Sequence, residues 1–315
     1  EYEGLYLKLE ERGDVSDIKL KEIPNLEIVD FEPLGLTIKI SANYRDHRKL
    51  VIVDGNIAYL GGDNIADEYA NLKSRFGHWR DNAIRIEGDA VDNCLYSFIE
   101  SWYLSTKKIL SFDKYKFTGE SETTNNIVMP FADGPTDRRN PAHDLYTSIT
   151  NNAKDYLYIS TPYFIIDPEF IGHICNACRS GVDVRILVPG IPDKKTVYLL
   201  TESHFGEILR AGGKIYKYTP GFNHAKNYIC DDKHAVIGSI NVDYRSLYLH
   251  FENGVYLSND HTIKEMKEDF LLSLDKKKKL SIYPAFRGYI LCRILRFIAQ
   301  RKARSLPFLF LYGKK

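Results

Sequence analysis

The chain has 315 residues, about twice the ~150-residue expectation for one domain. Hydrophobic residues make up 44% and charged residues 27%, which excludes a disordered or collagen-like chain, and no apolar run approaches the ~20 residues of a membrane-spanning helix. The formal charge of +1 conceals an asymmetry: from Lys276 onward there are twelve Lys or Arg and no acidic residue, against 31 basic and 42 acidic residues before it. An acidic body with a basic tail argues against a surface that grips nucleic acid throughout, and it raises an anionic partner for the tail.

In chain order, LEIVDFEP (26–33) alternates as a strand, and HRKLVIVDGNIAYLGGDN (47–64) reads as strand, turn and strand. AVDNCLYSFIESWYLSTKK (90–108) has the apolar spacing of a helix. A polar stretch over 112–141, rich in Gly, Pro, Ser and Thr, marks a boundary between two halves. YLYIS (156–160) predicts a strand, 168–180 a helix, VRILVP (184–189) a strand, 195–211 a helix and GKIYKYTP (213–220) a strand. Strands alternating with helices predict an α/β half around a central sheet. The expected units are a first half over 1–118, a second over 125–275 and a basic tail over 276–315. Five cysteines, an odd number, argue against a disulfide framework and for a reducing compartment. Cys175 and Cys178 have no second pair to complete a zinc site, and on a helix they read as half-buried neighbours one turn apart. The chain begins at Glu1 with no signal peptide, so the natural N-terminus is expected upstream.

The strongest signal is an internal repeat. Residues 47–64 and 224–241 (HAKNYICDDKHAVIGSIN) share the form H-x-K-x4-D-x6-G-[GS]-x-N. His47, Lys49, Asp54, Gly61 and Asn64 match His224, Lys226, Asp231, Gly238 and Asn241, each at an offset of 177 residues. The likeness extends upstream to LEIVDFEP and GKIYKYTP, which both end in aromatic-x-Pro; the first copy then has about ten extra residues before its His, read as a loop at the site mouth. Aligned this way, the first half lacks counterparts of two core strands and a helix. Their loss would bare a sheet face, so the chain reads as a fragment with its first half truncated.

On a strand, residues two apart share a face, so the His and Lys of each copy point the same way. Each copy offers an imidazole, an ammonium and, after the turn, an Asn amide. Two copies facing across a pseudo-twofold would set two His, two Lys and the substrate-binding candidates Asn64 and Asn241 around one point. Such donors between two imidazoles suit a tetrahedral phosphoryl group. One imidazole attacks phosphorus while the other protonates the departing oxygen and then deprotonates the acceptor. The design calls for no metal and no cofactor, because Lys and Asn already neutralise the charge. Each imidazole needs its second nitrogen held by a carboxylate. Asp81 in GHWRDNAIRIEG and Glu252 in RSLYLHFENGVYL are the supporting candidates, 34 and 28 residues after His47 and His224. Asp54 and Asp231 join the catalytic set, with the expectation that they serve the local turn as much as the chemistry.

The paired H-x-K-x4-D segments resemble those of the phospholipase D superfamily. The flanking text is similar to that of bacterial cardiolipin synthases: NYRDHRKLVIVDGNIAYLGGDNIADEY, GHWRDNAIRIEGDAV, STPYFIIDPEF, GVDVRILVPGIPD and AGGKIYKYTPGFNHAKNYICDDKHAVIGSINVDYRSLYLHFENG. This covers nearly all of residues 26–275. The resemblance implies two similar α/β halves with central mixed sheets, related by a pseudo-twofold. It implies transfer of a phosphatidyl group between two phosphatidylglycerol molecules, giving cardiolipin and glycerol through a phosphohistidine. By the same likeness His47 is the nucleophile and His224 the acid/base, with Glu252 orienting His47 and Asp81 orienting His224. The residues themselves leave open which His attacks. Members of the family commonly carry N-terminal membrane helices, which this sequence lacks, and the implied setting is a bacterial cell membrane with the site near its surface.

The tail combines its positive charges with Phe, Tyr, Leu and Ile, but Arg287, Arg293, Arg296 and Arg301 do not gather on one helical face. Binding to an anionic membrane surface is the preferred reading, and a solvated tail or a helix packed on the acidic body is the other. Phosphatidylglycerol is the expected partner and nucleic acid is not. Three further readings stay open: a hydrolase that uses water as acceptor, a nuclease, and an inactive lipid-binding scaffold.

Overall fold

Both copies of the repeat fold as β-hairpins in the computed structural model, which describes residues 26–29, 31, 44–120, 125–275 and 277–279. Strands β1 (Leu50–Val53) and β2 (Ile57–Gly61) form the first hairpin. The Asn56 N–H donates to the Val53 carbonyl at 3.0 Å, and Asp54 and Gly55 between them have φ of 53° and 67°. The hairpin of the second copy has the same closure: the Lys233 N–H donates to the Cys230 carbonyl at 3.0 Å, with Asp231 and Asp232 both at φ 54°. Two successive left-handed residues are the signature of a type I′ turn, whose twist matches that of the strands. Asp is one of the few residues with a side chain that tolerate this backbone. The motif aspartate is therefore a requirement of the turn.

The first half continues with β3 (His78–Arg80), β4 (Ala83–Glu87), α1 (Val91–Thr106) and α2 (Phe112–Tyr115). The second runs β5 (Ile127–Asp133), α3 (Pro141–Asn152), β6 (Tyr156–Ser160), β7 (Phe164–Ile165), α4 (Pro168–Arg179), β8 (Asp183–Pro189), α5 (Lys195–Arg210) and β9 (Lys214–Tyr218). It is completed by β10 (Gly221–Asn223), β11 (Asn227–Cys230), β12 (His234–Gly238), β13 (Val242–Asp243), α6 (Tyr244–Tyr248), β14 (Glu252–Ser258), α7 (Thr262–Asp275) and β15 (Lys277–Lys279). Helix α4 shows why these boundaries fall where they do. Asp167 accepts the Phe170 N–H at 2.8 Å as N-cap, Pro168 takes the first turn, and Gly181 follows the end at φ 92°.

Eight strands of the second half form a mixed sheet in the order β15-β9-β8-β6-β11-β12-β14-β5, parallel among β9, β8 and β6 and antiparallel elsewhere. Alternate residues on its strands serve two different cores. Leu157, Ile159, Tyr228 and Cys230 join the core under α3, α4 and α5, while Tyr156, Tyr158 and Ile229 face the other way. The second core also holds Phe270 of α7 together with Ala58, Leu60, Ile86 and Cys94 of the first half. The first half, whose sheet has the order β1-β2-β4, thus shares a hydrophobic core with the large sheet. The α/β class, the mixed central sheet and the duplicated hairpins agree with the sequence reading.

Three details differ from it. Residues 26–29 form no strand, and the rest of LEIVDFEP, apart from Phe31, lies outside the described residues. The polar stretch read as a boundary contains β5, which pairs with β14 along seven residues; its Pro130 is tolerated because β5 is the sheet edge. The strands β1 and β11 begin one residue after Lys49 and Lys226, so each His and Lys lies in the extended segment that enters the strand. Cys175 and Cys178 are both buried on α4, and burial pushes the Cys178 thiol up to about 11, which leaves it unreactive. The loop at 34–43 and, apart from 277–279, the basic tail lie outside the described residues.

Candidate active site

Two short parallel pairings join the halves, and each delivers a histidine beside a carboxylate from the opposite half. In one, β10 pairs with β3, Asn223 opposite Arg80, and the His224 N–H donates to the Arg80 carbonyl at 2.7 Å. The next residue after Arg80 is Asp81. In the other, Asp46 bridges to Phe251 in parallel, and the His47 N–H donates to the Phe251 carbonyl at 2.9 Å. The next residue after Phe251 is Glu252. Backbone pairing thus fixes each imidazole and its carboxylate before any side-chain contact is made.

The side chains complete the crossing. His47 Nδ1 lies 3.0 Å from both carboxylate oxygens of Glu252, and His224 Nδ1 is hydrogen-bonded to Asp81 Oδ2. A carboxylate on Nδ1 keeps a proton there and leaves Nε2 of each ring as the reactive nitrogen. Ser239 Oγ donates to Glu252 Oε2 at 2.5 Å and holds that carboxylate in turn. At the matching place in the first half stands Gly62, where a Cβ would collide with Asp81 and come within 2.8 Å of Lys226 Nζ. A side chain there would push the Asp81 carboxylate and the Lys226 ammonium from these positions. The two lysines repeat one geometry: Lys49 Nζ and Lys226 Nζ each donate to the carbonyl of their own motif histidine.

Electrostatics bind these groups into one unit. Burial and the Lys226 ammonium bring the His224 imidazole down to about 3 against the pull of Asp81, so the ring is neutral near pH 7. Burial alone would raise Asp81, but Lys226 and His224 hold it down to about 2. Burial opposes ionisation of Glu252 as well, and His47 and His250 hold its carboxyl well below the usual range. Lys226 is brought down to about 8 by burial, with Asp81 opposing and Lys49 assisting. Lys226 therefore feels Asp81 and Asp63 of the first half, Glu252 of the second and the other motif lysine at once.

Asp54 and Asp231, expected from sequence to serve the local turn as much as the chemistry, both lie in hairpin turns. The Asp231 carboxylate accepts the backbone N–H groups of Lys154, Asp155 and Tyr156 at 2.7, 3.0 and 2.8 Å, so it anchors the start of β6. It sits five residues beyond Lys226, roughly 16 Å away at the strand rise of ~3.3 Å per residue. Asp54 occupies the equivalent turn. Asn64 and Asn241 are each hydrogen-bonded to a neighbouring hydroxyl. Asn64 Nδ2 donates to the Tyr69 hydroxyl, and the Tyr69 ring packs edge-on at 5.3 Å from His224. Asn241 Nδ2 donates to Ser246 Oγ at 3.1 Å, and its buried Oδ1 has no partner among the described residues.

Three neighbours of the site were not singled out as functional from the sequence. His250 packs 5.3 Å from the His47 ring, with its Nδ1 3.4 Å from Glu252 Oε1. Trp79 holds the equivalent place in the other half, 5.2 Å from His224 and stacked on Phe222 at 4.6 Å. Both precede their carboxylate by two residues, so an alignment of HWRDN with LHFEN reveals the pair. Asp63, next to Asn64 in the motif, is pushed up to about 6 by burial and by Asp81.

The family model described as cardiolipin synthase, PLD-like domain, matches residues 146–272. An uncharacterized protein of Streptococcus mutans is 42% identical over 80% of this chain and 54% of its own length. A cardiolipin synthase of Alkalihalophilus pseudofirmus is 36% identical over 81% of this chain and 51% of its own. Among solved structures, a phosphatidylserine synthase of Haemophilus influenzae superposes with a TM-score of 0.60 at 15% identity, over 83% of this chain and 71% of that one, a likeness of fold. The chain is similar to proteins with the phospholipase D-like domain, cardiolipin synthases among them. It spans about half the length of the curated relatives it matches.

Proposed function

We propose that this chain is the catalytic region of a phosphatidyltransferase of the cardiolipin synthase type. The observation that carries the reading is the crossed pairing, His47 with Glu252 and His224 with Asp81, which makes one site from two halves. The cardiolipin synthases among its relatives support the choice of phospholipid substrate. In the first step Nε2 of His47 attacks the phosphorus of phosphatidylglycerol, and the bond from phosphorus to the glycerol oxygen breaks. His224 gives that oxygen a proton, and glycerol leaves. In the second step His224 takes the proton of a hydroxyl on a second phosphatidylglycerol, whose oxygen attacks the phosphohistidine. Cardiolipin forms and His47 is released. Lys49 and Lys226 neutralise charge on the phosphoryl oxygens, and Glu252 stabilises the His47 ring as it turns cationic.

His224 is neutral in the free protein, so the proposed acid must gain its proton when the anionic substrate binds beside it. The units that bring the histidines together are read as 1–118 and 125–275, with the basic tail over 276–315 held against an anionic bacterial membrane surface. Among the described residues, no helix is long and apolar enough to cross a membrane. Phosphodiester hydrolysis by water is the second reading, since the imidazoles do not choose the acceptor. The excess of acid over base before Lys276 disfavours nucleic acid as substrate.

Labelled phosphatidylglycerol supplied to the full-length protein separates these readings. Cardiolipin with free glycerol is the expected product. Phosphatidic acid alone would make the protein a hydrolase.

A further inference from the structure

The two halves are not equivalent around their imidazoles, and the difference is chemical. His224 has a carboxylate and an indole beside it, whereas His47 has a carboxylate and a second imidazole. His250 is nine-tenths buried, yet neither of its ring nitrogens makes a hydrogen bond of good geometry among the described residues. Its Nδ1 has only the 3.4 Å approach to Glu252 Oε1 and its Nε2 no partner among the described residues, an arrangement that is costly for a buried imidazole unless something takes them up. Trp79, at the same place in the other half, fills the space with a ring that cannot ligate a metal.

We propose that His47, His250 and Glu252 form a binding site for zinc or a similar borderline transition metal, and that occupation of this site switches off transfer by capturing the His47 imidazole. The spacing supports it. One ligand atom from each of the three residues lies within 4.8 Å of the others, with His47 Nδ1 3.0 Å and His250 Nδ1 3.4 Å from Glu252 Oε1. A tetrahedral zinc with bonds of about 2.0–2.2 Å sets neighbouring ligand atoms roughly 3.3–3.5 Å apart, so small side-chain adjustments suffice. Two imidazoles and one carboxylate form a donor set that zinc takes and that magnesium or calcium, which favour oxygen, do not. Of the three side chains His47 is the most exposed, at 20% against 10% for His250 and none for Glu252, so the metal enters from the His47 side. A metal on Nδ1 replaces the proton that Glu252 accepts and draws electron density from the ring, so Nε2 becomes a poorer nucleophile. Among the described residues, the other His–carboxylate pair, faced by Trp79, has no such third ligand.

The inhibitory consequence rests on the transferase reading above; the site itself does not, and the experiment separates the two. Zinc is titrated by calorimetry into the purified full-length protein and into His250→Asn, with folding of each checked by its melting curve. The expected result is one zinc per chain, weakened in His250→Asn by at least the ~10–100-fold that losing an outer-shell partner costs. Identical zinc affinities in the two proteins overturn the site. A measurement that needs no variant accompanies it: X-ray absorption of the zinc-loaded wild type is expected to show two imidazole ligands, and a spectrum without imidazole scattering also overturns it. In the transfer assay, each protein normalised to its own metal-free rate, zinc should suppress wild type far more than His250→Asn, and EDTA should restore it. Transfer that survives saturating zinc overturns the inhibitory role. A protein that makes no product without metal counts against the transferase reading, and calorimetry still decides the site.

Discussion

Glu252 opens a strand of the second half, and both of its carboxylate oxygens stand 3.0 Å from Nδ1 of His47 in the first. The contact spans 205 residues of sequence, and a backbone hydrogen bond one residue earlier, from His47 to Phe251, fixes its register. Neither half alone can orient its own histidine. Replacing Glu252 by Gln keeps the shape and a hydrogen-bonding group but removes the charge that stabilises a cationic His47. We expect kcat to fall about 10²–10⁴-fold with little change in KM, as for other His–carboxylate pairs. Asp81→Asn should do the same through His224. Steady-state transfer rates check both, and a Glu252→Gln enzyme within a few-fold of wild type would remove the crossed pairing from the chemistry.

Lys226 sets a limit on the alkaline side. Burial brings its ammonium down to about 8, and the charged form is the one that neutralises a phosphoryl oxygen. The profile of kcat/KM, which reports the free enzyme, should therefore fall as pH rises through about 8. Asp63 favours the charged form of Lys226, so Asp63→Asn should move this limb to lower pH. A flat profile past pH 9 in wild type, or a limb that does not move in the variant, would contradict this role.

Asp231 should behave as a structural residue. Its carboxylate carries three backbone N–H groups at the start of β6, and its φ of 54° suits Asn nearly as well as Asp. Asp231→Ala loses the hydrogen bonds and strains the turn, at a cost of about 2–4 kcal/mol of stability. Asp231→Asn should cost less, and both should transfer at close to the wild-type rate per folded molecule. Denaturant melts combined with active-fraction measurements test this; loss of turnover in a fully folded Asp231→Asn protein would return the residue to the catalytic set.

Asp133 gives a stability signature. Burial pushes its carboxyl up to about 7 from an ordinary 3.8, although the Ala142 N–H favours the charged form. The folded protein thus keeps a proton that the unfolded chain has already released. The resulting stabilisation is complete below about pH 4 and is lost as pH rises through about 7. Asp133→Asn should flatten that fall in the melting temperature. An unchanged slope between pH 4 and 7 would show that another group causes it.

Much of the site was visible in the sequence because duplication repeats the spacing: two copies of H-x-K-x4-D-x6-G-[GS]-x-N are a pattern that one chain displays by itself. The sequence leaves the motif aspartate between two roles, because the same letter serves both a left-handed backbone, as in the turn dipeptide Asp54-Gly55, and a catalytic carboxylate. Strand β5 was hidden by Pro130 and by the polar residues around it, which only an edge position excuses. His250 was missed for a different reason. Its contact with His47 depends on the pairing of the two halves, and its only trace in the sequence is the shared two-residue spacing to the carboxylate in HWRDN and LHFEN.

The central claim is that two halves make one site in which a single histidine becomes covalently phosphorylated. Trapping that intermediate tests it most directly. Full-length protein mixed with phosphatidylglycerol labelled at phosphorus, quenched in alkali within the first turnover and digested, should yield label on the peptide that carries His47. His224→Ala should prolong its lifetime by removing the base that activates the acceptor. Product formation with no labelled histidine, or label on neither His47 nor His224, would contradict the account.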